Sequence, residues 1–188
     1  MSTVDTSLKN HFLIAMPNME DPNFSHSLTY LCEHSSEGAM GIVINRPMKL
    51  TLGEVFAHLK IQNYDTDFDH QPVMSGGPVQ IERGFVLHQS DRPWNATNKI
   101  QDDIYLATSL DILQAIAHNE GPEQHLVALG YAGWGPGQLD EEMSNNAWLS
   151  VPADPAIIFA TPQEKRWQAA ASLLGIDLTL LSADAGHA

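Results

Sequence analysis

Basic residues are scarce in this sequence. Nine Lys or Arg stand against 23 Asp or Glu, so the formal net charge is −14, and no Lys or Arg occurs between Ile100 and Glu164. A surface this acidic repels phosphate backbones and anionic lipids, and the scattered basic residues form no basic recognition helix. Direct nucleic-acid binding is therefore the least favoured function.

Cysteine and long apolar runs are scarce too. The single cysteine, Cys32, excludes an intramolecular disulfide and favours a reducing compartment. Residues 1–10 lack the features of a signal peptide, and the apolar run 12–16 is far shorter than the roughly 20 residues that span a bilayer. We expect a cytoplasmic protein without membrane contact. Walker, Rossmann and Gly-x-Ser-x-Gly motifs are also missing, so no cofactor is predicted.

The 188 residues suit one domain with a substantial core, and we expect residues 1–10 and 182–188 to be flexible. Apolar patterning predicts strands at 12–16, 25–34, 38–46, 84–88, 104–108 and 125–134, helices at 52–59, 110–119, 138–146 and 162–174, and loops at 61–71 and 90–99. Capping boxes at Thr51–Glu54 and Thr161–Glu164 mark two of the helix starts. Hairpins interspersed with helices favour an α+β fold.

The strand that begins at Gly38 ends abruptly in Asn45, Arg46 and Pro47. A second arginine, Arg83, follows the turn Gly76-Gly77-Pro78. Glycine backbone and guanidinium groups together suit a small anion, which makes a pocket at these strand ends one hypothesis. The alternative is that each arginine pairs with a local carboxylate and the glycines serve only the turn.

Trp134 lies between glycines at the end of the strand 125–134, where it would line a pocket or anchor a partner. Gln138 begins the helix that follows. The neighbouring Glu141 and Glu142 suit either general acid–base chemistry or an acidic first turn stabilised by the helix dipole, and we favour the second.

Cys32 and His34 are two residues apart on one strand, and His88 ends another. Thiolate and imidazole are zinc or copper ligands, but two placed ligands predict a metal only weakly. A buried thiol with hydrogen-bonded histidines is the preferred interpretation, and a nucleophilic Cys32 is the least favoured.

Several blocks of this sequence resemble the AlgH/YqgE family of bacterial proteins, in the family's own order. They are Phe12–Pro17, Asp21–Phe24, Cys32–His34, Gly38–Pro47, Gly76–Val79, Arg83–His88, Gly130–Leu139, Asn146–Leu149 and Arg166-Trp167. The resemblance implies an α+β fold with a branched mixed sheet, a small closed barrel-like part and surrounding helices. It implies no established activity and no agreed catalytic residues, although some members carry the name of a transcriptional regulator.

We therefore expect a non-enzymatic binder of a small anionic ligand or a protein partner. The candidate residues are Asn45, Arg46, Gly76, Gly77, Arg83, Trp134 and Gln138. The alternatives are a hydrolase or transferase acting on an anionic substrate, and a transcriptional regulator that acts indirectly through a protein.

Overall fold

The computed structural model of the chain describes residues 7–90, 92, 94–101 and 103–185. The strands are β1 (His11–Ala15), β2 (Leu28–Ser35), β3 (Gly38–Val43), β4 (Pro47–Thr51), β5 (Pro72–Ser75), β6 (Val79–His88), β7 (Thr97–Gln101), β8 (Ile104–Ala107), β9 (His125–Trp134) and β10 (Trp148–Pro152). The helices are α1 (Leu52–His58), α2 (Leu110–Ala117), α3 (Gln138–Ser144), α4 (Pro155–Phe159), α5 (Arg166–Ser172) and α6 (Leu178–Ala185). Short 3₁₀ turns cover Thr66–Asp69 and Gln163–Lys165.

The strands form one branched mixed sheet, as expected, which curls into a half-barrel. Its main path runs β10-β1-β2-β3-β9-β6-β8-β7, and every pairing along it is antiparallel. The branch is at β9, which also pairs in parallel with β5, and β5 carries β4 on its other edge. Strand β9 is therefore the element to which both parts of the sheet attach.

Glycine makes the branch possible. Gly130 has φ +80° in the middle of β9, and a Cβ there would lie 2.5 Å from the carbonyl oxygen of Gly77. Gly76 bridges two strands, since its N–H donates to Leu129 and its carbonyl accepts from Val43. Backbones this close leave no room for side chains, so these glycines are required by the crossing itself.

A wide bulge interrupts β6 opposite the branch. Val79 pairs with Tyr131 and Gly84 with Leu129, so the four residues 80–83 face the single residue Gly130. Gln80 takes φ +46°, a rare conformation for a residue with a side chain. Bulges of this kind redirect side chains, and this one turns the residues between Val79 and Gly84 away from regular alternation.

Three apolar clusters hold the fold together. The largest lies under α4, α5 and α6 and includes Tyr30 and Ile44, the second lies under α1 and α2, and the third surrounds Trp134 and Trp148. Two side chains of α5 fix that helix to the sheet. Arg166 donates to the carbonyl oxygens of Ile44 and Thr161, and the indole N–H of Trp167 donates to Ala15 at 3.1 Å.

Most predicted elements are present. The strand 125–134 is found with the predicted bounds because it is buried between neighbours on both edges. The Thr51 hydroxyl caps α1 as expected, accepting from the Glu54 N–H at 3.2 Å. The Glu54 carboxylate accepts from that hydroxyl, also at 3.2 Å, in place of the expected bond to the Thr51 N–H.

Other predictions need correction. The strand predicted from residue 25 begins at Leu28, because residues 21–25 form hydrogen-bonded turns. Thr161 does not cap α5: its hydroxyl donates to the Ala156 carbonyl, and a 3₁₀ turn precedes the helix. The loops predicted at 61–71 and 90–99 contain a 3₁₀ turn and the start of β7.

Parts of the two end segments expected to be flexible carry hydrogen bonds or helix. The Leu8 and Asn10 N–H groups are hydrogen-bonded to β2, through His34 and Leu31. Helix α6, which the sequence did not predict, extends to Ala185. Residues 1–6 and 186–188 lie outside the described part of the chain. Of the helices the structure describes, none combines the length and apolar character needed to cross a membrane.

Candidate functional site

The side chains of Asn45 and Arg46 form hydrogen bonds with the backbone of the turn that precedes β2. The amide of Asn45 accepts from the Leu28 N–H at 2.8 Å and donates to the His26 carbonyl at 2.9 Å. In this way the Asn45 side chain continues the hydrogen bonding between β2 and β3. Both ends of the Asn45 amide are therefore occupied by backbone.

Arg46 binds the backbone of the same turn. Its Nη1 donates to the carbonyl oxygens of Pro22, at 3.0 Å, and Asn23, and its Nη2 donates to that of Ser25 at 2.8 Å. A guanidinium that bridges three carbonyl groups fixes a loop and has few donors left for an anion. The structure thus gives Arg46 a backbone-organising role.

Gly76 and Gly77 pack directly on β9. A Cβ on Gly77 would lie 2.1 Å from the carbonyl carbon of Tyr131, and one on Gly76 would lie 2.3 Å from the Gly130 oxygen. The backbone groups of Gly76 already serve the sheet, as described above. This close approach to β9 explains why both positions are glycine, a role beyond the turn itself.

Trp134 and Gln138 belong to a network centred on the carboxylate of Glu142. One carboxylate oxygen accepts from the indole N–H groups of Trp148, at 3.0 Å, and Trp134, at 3.4 Å. The other accepts from the Gln138 amide at 3.1 Å, while the amide oxygen of Gln138 caps Gly135. Glu142 therefore joins α3 to β9 and β10, a third role beside the two considered from the sequence.

Arg83 has a different setting, because the β6 bulge carries it to a cavity of about 890 Å³. We call this cavity the Arg83 pocket. The residues that matter for its chemistry are Lys9, His34, Arg83, Asn98, Tyr131 and Trp134. Of the sequence-predicted residues, the pocket brings together Arg83, Trp134 and His34, whereas Asn45, Arg46, Gly76, Gly77 and Gln138 do not line it.

The Arg83 guanidinium is held without a carboxylate. It lies 5.2 Å from the centre of the Phe85 ring, and its Nη1 is 3.4 Å from the amide oxygen of Gln80. No carboxylate of a described residue forms an ion pair with Arg83 or Lys9. Glu33 and Glu37 lie on the exposed β2–β3 hairpin at the same pocket, so the cations are partly offset there.

His34 is fixed on both sides of its ring. Its Nδ1 accepts from the Leu8 N–H at 2.8 Å, which leaves Nε2 to carry the proton, and Nε2 lies 3.4 Å from the Asp140 carboxylate. The ring links the start of the chain, β2 and α3 at the edge of the pocket. This geometry makes His34 part of the wall.

Cys32, His34 and His88 do not form a metal site, and no group of three potential ligands occurs among the residues that the structure describes. Cys32 is buried, its Sγ lies 3.7 Å from the Tyr30 carbonyl, and burial raises the pKa of its thiol. His88 is fully buried between the rings of Trp94 and Tyr105.

Neither ring nitrogen of His88 has a good hydrogen bond to a described residue. Burial lowers the pKa of His88 to about 4, and the Ser90 backbone offsets only part of that effect. The imidazole is therefore neutral at ordinary pH.

Three pocket residues were not singled out from the sequence. Lys9 lies in a segment expected to be frayed, and Asn98 lies in an expected loop. A lysine or an asparagine in such a segment does not by itself indicate a binding site, so neither residue could be identified from the sequence. Tyr131 begins the glycine-rich block around Trp134, and its position beside glycines was the one available indication. Its ring packs edge-on against Phe85 at 5.8 Å.

Comparison with known proteins gives consistent matches over the whole chain. A family model described as AlgH-like (DUF179) matches residues 12–179. The UPF0301 protein of Thioalkalivibrio sulfidiphilus is 54% identical over 186 residues, which is 99% of this chain and 100% of that protein. That of Saccharophagus degradans is 56% identical over 182 residues, covering 97% and 89%.

Two solved structures are similar. The solution structure of the AlgH protein from Pseudomonas aeruginosa has a TM-score of 0.81 and 52% identity, with all of both chains covered. The crystal structure of a Corynebacterium diphtheriae protein has a TM-score of 0.73 at 20% identity, covering 97% of this chain and 94% of that one, and this likeness concerns the fold alone.

Proposed function

The chain belongs to the AlgH-like family, and we propose that it is a non-enzymatic binder of a small anionic ligand, held in the Arg83 pocket. The observation that carries the proposal is the Arg83 guanidinium, presented by a strand bulge to a cavity and without a carboxylate partner among the described residues. A guanidinium without a carboxylate partner has N–H donors available to bind a carboxylate or phosphate ligand.

The size and lining of the pocket fit a small molecule. Small-molecule sites usually enclose about 300–1,000 Å³ and combine apolar walls with a few polar groups. Here Phe85, Leu106 and Tyr131 supply apolar wall, and Asn98 and Lys9 supply further donors. A ligand with one anionic group at Arg83 and a less polar body against Tyr131 uses each of these features.

A binding role is favoured over catalysis by the state of His34. A general base needs a free nitrogen aimed at the reacting atom, whereas both nitrogens of His34 already have partners. Cys32, the other nucleophile considered, does not line the pocket.

The test is a titration with inorganic phosphate, citrate and glycerol phosphate, followed by amide chemical shifts and thermal denaturation. We expect at least one probe to saturate the pocket and Arg83→Gln to weaken its binding about tenfold, the usual cost of a charge-assisted hydrogen bond. The matched control is Arg92→Gln, since Arg92 also lies over an aromatic ring, Trp94, with one hydrogen bond, to Glu120, and does not line the pocket.

Two results would contradict the proposal. One is that no probe gives saturable shifts at Arg83, Asn98 or Tyr131. The other is that Arg92→Gln weakens binding as much as Arg83→Gln, which would indicate general attraction to positive charge.

A further inference from the structure

A second concave surface lies on the other side of the β6 bulge, with a volume of about 770 Å³. We call it the apolar groove. Its floor is formed by Val86, Val127 and Leu129 of β6 and β9, and α1 and α2 form its walls. Val86 and Val127 are only 2% and 4% exposed, so the accessible apolar surface lies at the rim of the groove.

Exposed apolar side chains line the groove. Leu59, Ile81 and Leu110 are 42%, 64% and 49% exposed, and all three line it. They are three of the seven large apolar residues that are exposed in the described part of the chain. A contiguous apolar surface of this kind usually marks an interaction site, whereas single exposed apolar residues do not.

The charges around the groove have one sign. Glu54 and Glu82 line it, together with His58, and no Lys or Arg of the described residues does so. One oxygen of Glu54 is engaged by the Thr51 hydroxyl at 3.2 Å, while Glu82 is exposed. A partner that places cations beside an apolar stripe complements this rim.

We infer that the apolar groove binds an amphipathic helix of another protein, whose leucine-type stripe contacts Leu59, Ile81 and Leu110. Lys or Arg of that helix would face Glu54 and Glu82. Amphipathic helices bind apolar grooves through side chains at helical spacing, and the exposed apolar residues of this groove suit that mode of binding. A second copy of this chain is disfavoured, since each copy carries a net charge of −14 and the other exposed leucines, Leu173, Leu174 and Leu180, flank the acidic Asp177.

The probe is a synthetic amphipathic peptide of about 18 residues of leucine and lysine, long enough for five helical turns. Two further peptides serve as controls, one with glutamate for lysine and one with a central proline. Binding is measured by fluorescence anisotropy at two salt concentrations, and the site is located by amide chemical shifts. We expect saturable binding of the lysine peptide alone, with shifts at the groove and increased helicity of the peptide.

Variants distinguish the groove from general attraction to an acidic protein. Ile81→Ser and Leu110→Ser should each weaken binding about tenfold, as truncation of a central apolar contact does. The control Leu180→Ser removes a leucine with the same 64% exposure on α6 and should change nothing. Glu82→Gln should reduce affinity mainly at low salt.

Several outcomes would overturn the inference. Equal binding by wild type and both groove variants would mean non-specific attraction. Equal binding of the proline peptide would exclude a helical occupant. Self-association of the wild-type chain that Ile81→Ser abolishes would assign the groove to a second copy. None of these results bears on the Arg83 pocket, which Arg83→Gln tests separately.

Discussion

Replacing Arg46 with glutamine should weaken the fold and leave anion binding unchanged. The substitution removes three guanidinium–carbonyl hydrogen bonds to the turn at residues 22–25. Hydrogen bonds to charged groups contribute about 1.5–3 kcal/mol each when buried, but Pro22 and Asn23 are exposed, so water can replace part of the loss. We therefore expect the free energy of unfolding to fall by about 2 kcal/mol in total.

The effect should appear in both stability and local dynamics. For a chain of this length, about 2 kcal/mol corresponds to a fall in Tm of about 4–8 °C. The turn carries Phe24, whose ring lies 6.2 Å from that of Trp134 and 5.5 Å from that of Trp148. Tryptophan fluorescence and hydrogen exchange at residues 21–28 should therefore change with Tm. Lys49→Gln, which removes an exposed cation elsewhere, is the charge-matched control and should leave Tm within about 1 °C.

The reasoning fails if Arg46→Gln keeps the wild-type Tm and the wild-type hydrogen exchange of the turn. It fails equally if the variant is stable but no longer binds the anionic probes that wild type binds, because Arg46 would then be a ligand group. The same titration with Arg83→Gln should give the opposite pattern, with loss of binding at unchanged Tm.

Three further predictions concern Glu142, Cys32 and His88. Glu142→Gln should lower stability by about 1–2 kcal/mol and shift tryptophan emission, because the carboxylate accepts from the Trp134 and Trp148 indoles; unchanged emission would contradict this. Cys32 should resist iodoacetamide in the native state and react only on unfolding, since burial raises its pKa; rapid native labelling would refute it. Burial lowers the pKa of His88 from 6.5 to about 4. The free energy of unfolding should therefore have its full value above pH 6.5 and fall by up to about 3 kcal/mol as the pH drops towards 4. His88→Phe should flatten that part of the denaturation profile.

The parts of the fold that depend on local sequence could be predicted. Strand β9 is apolar on both alternations, and only a fully buried strand explains that pattern. The Thr51–Glu54 box caps α1 because both partners lie within one helical turn. The Thr161–Glu164 box failed because Thr161 has other partners five residues away on each side: its carbonyl accepts from buried Arg166, and its hydroxyl donates to the Ala156 carbonyl. Residue types in a short window do not reveal such competing partners.

The candidate site, too, combines features that the local sequence predicts with features that it does not. The sequence placed two arginines near strand ends, but it could not tell which of them lines a pocket. Arg46 is 24 residues from Pro22 in the chain and contacts it only because the turn folds back over β3. Arg83 reaches a cavity only because β6 bulges, and the bulge depends on Gly130, nearly 50 residues later. Long-range geometry of this kind leaves no signature within either segment.

The β6 bulge explains why the surfaces on its two sides differ, one being polar and the other apolar. In a regular strand Ile81 and Arg83 would share a face, because side chains alternate with a period of two. Here Arg83 lines the Arg83 pocket, whereas Ile81 and Glu82 line the apolar groove. The cause is the positive φ of Gln80 together with Gly130, whose missing side chain lets the Ile81 backbone approach. A Cβ on Gly130 would lie 3.3 Å from the Ile81 Cα and 2.5 Å from the Gly77 oxygen, so any other residue there would displace both the bulge and the sheet branch. The two proposed sites and the branched architecture therefore depend on the same glycine.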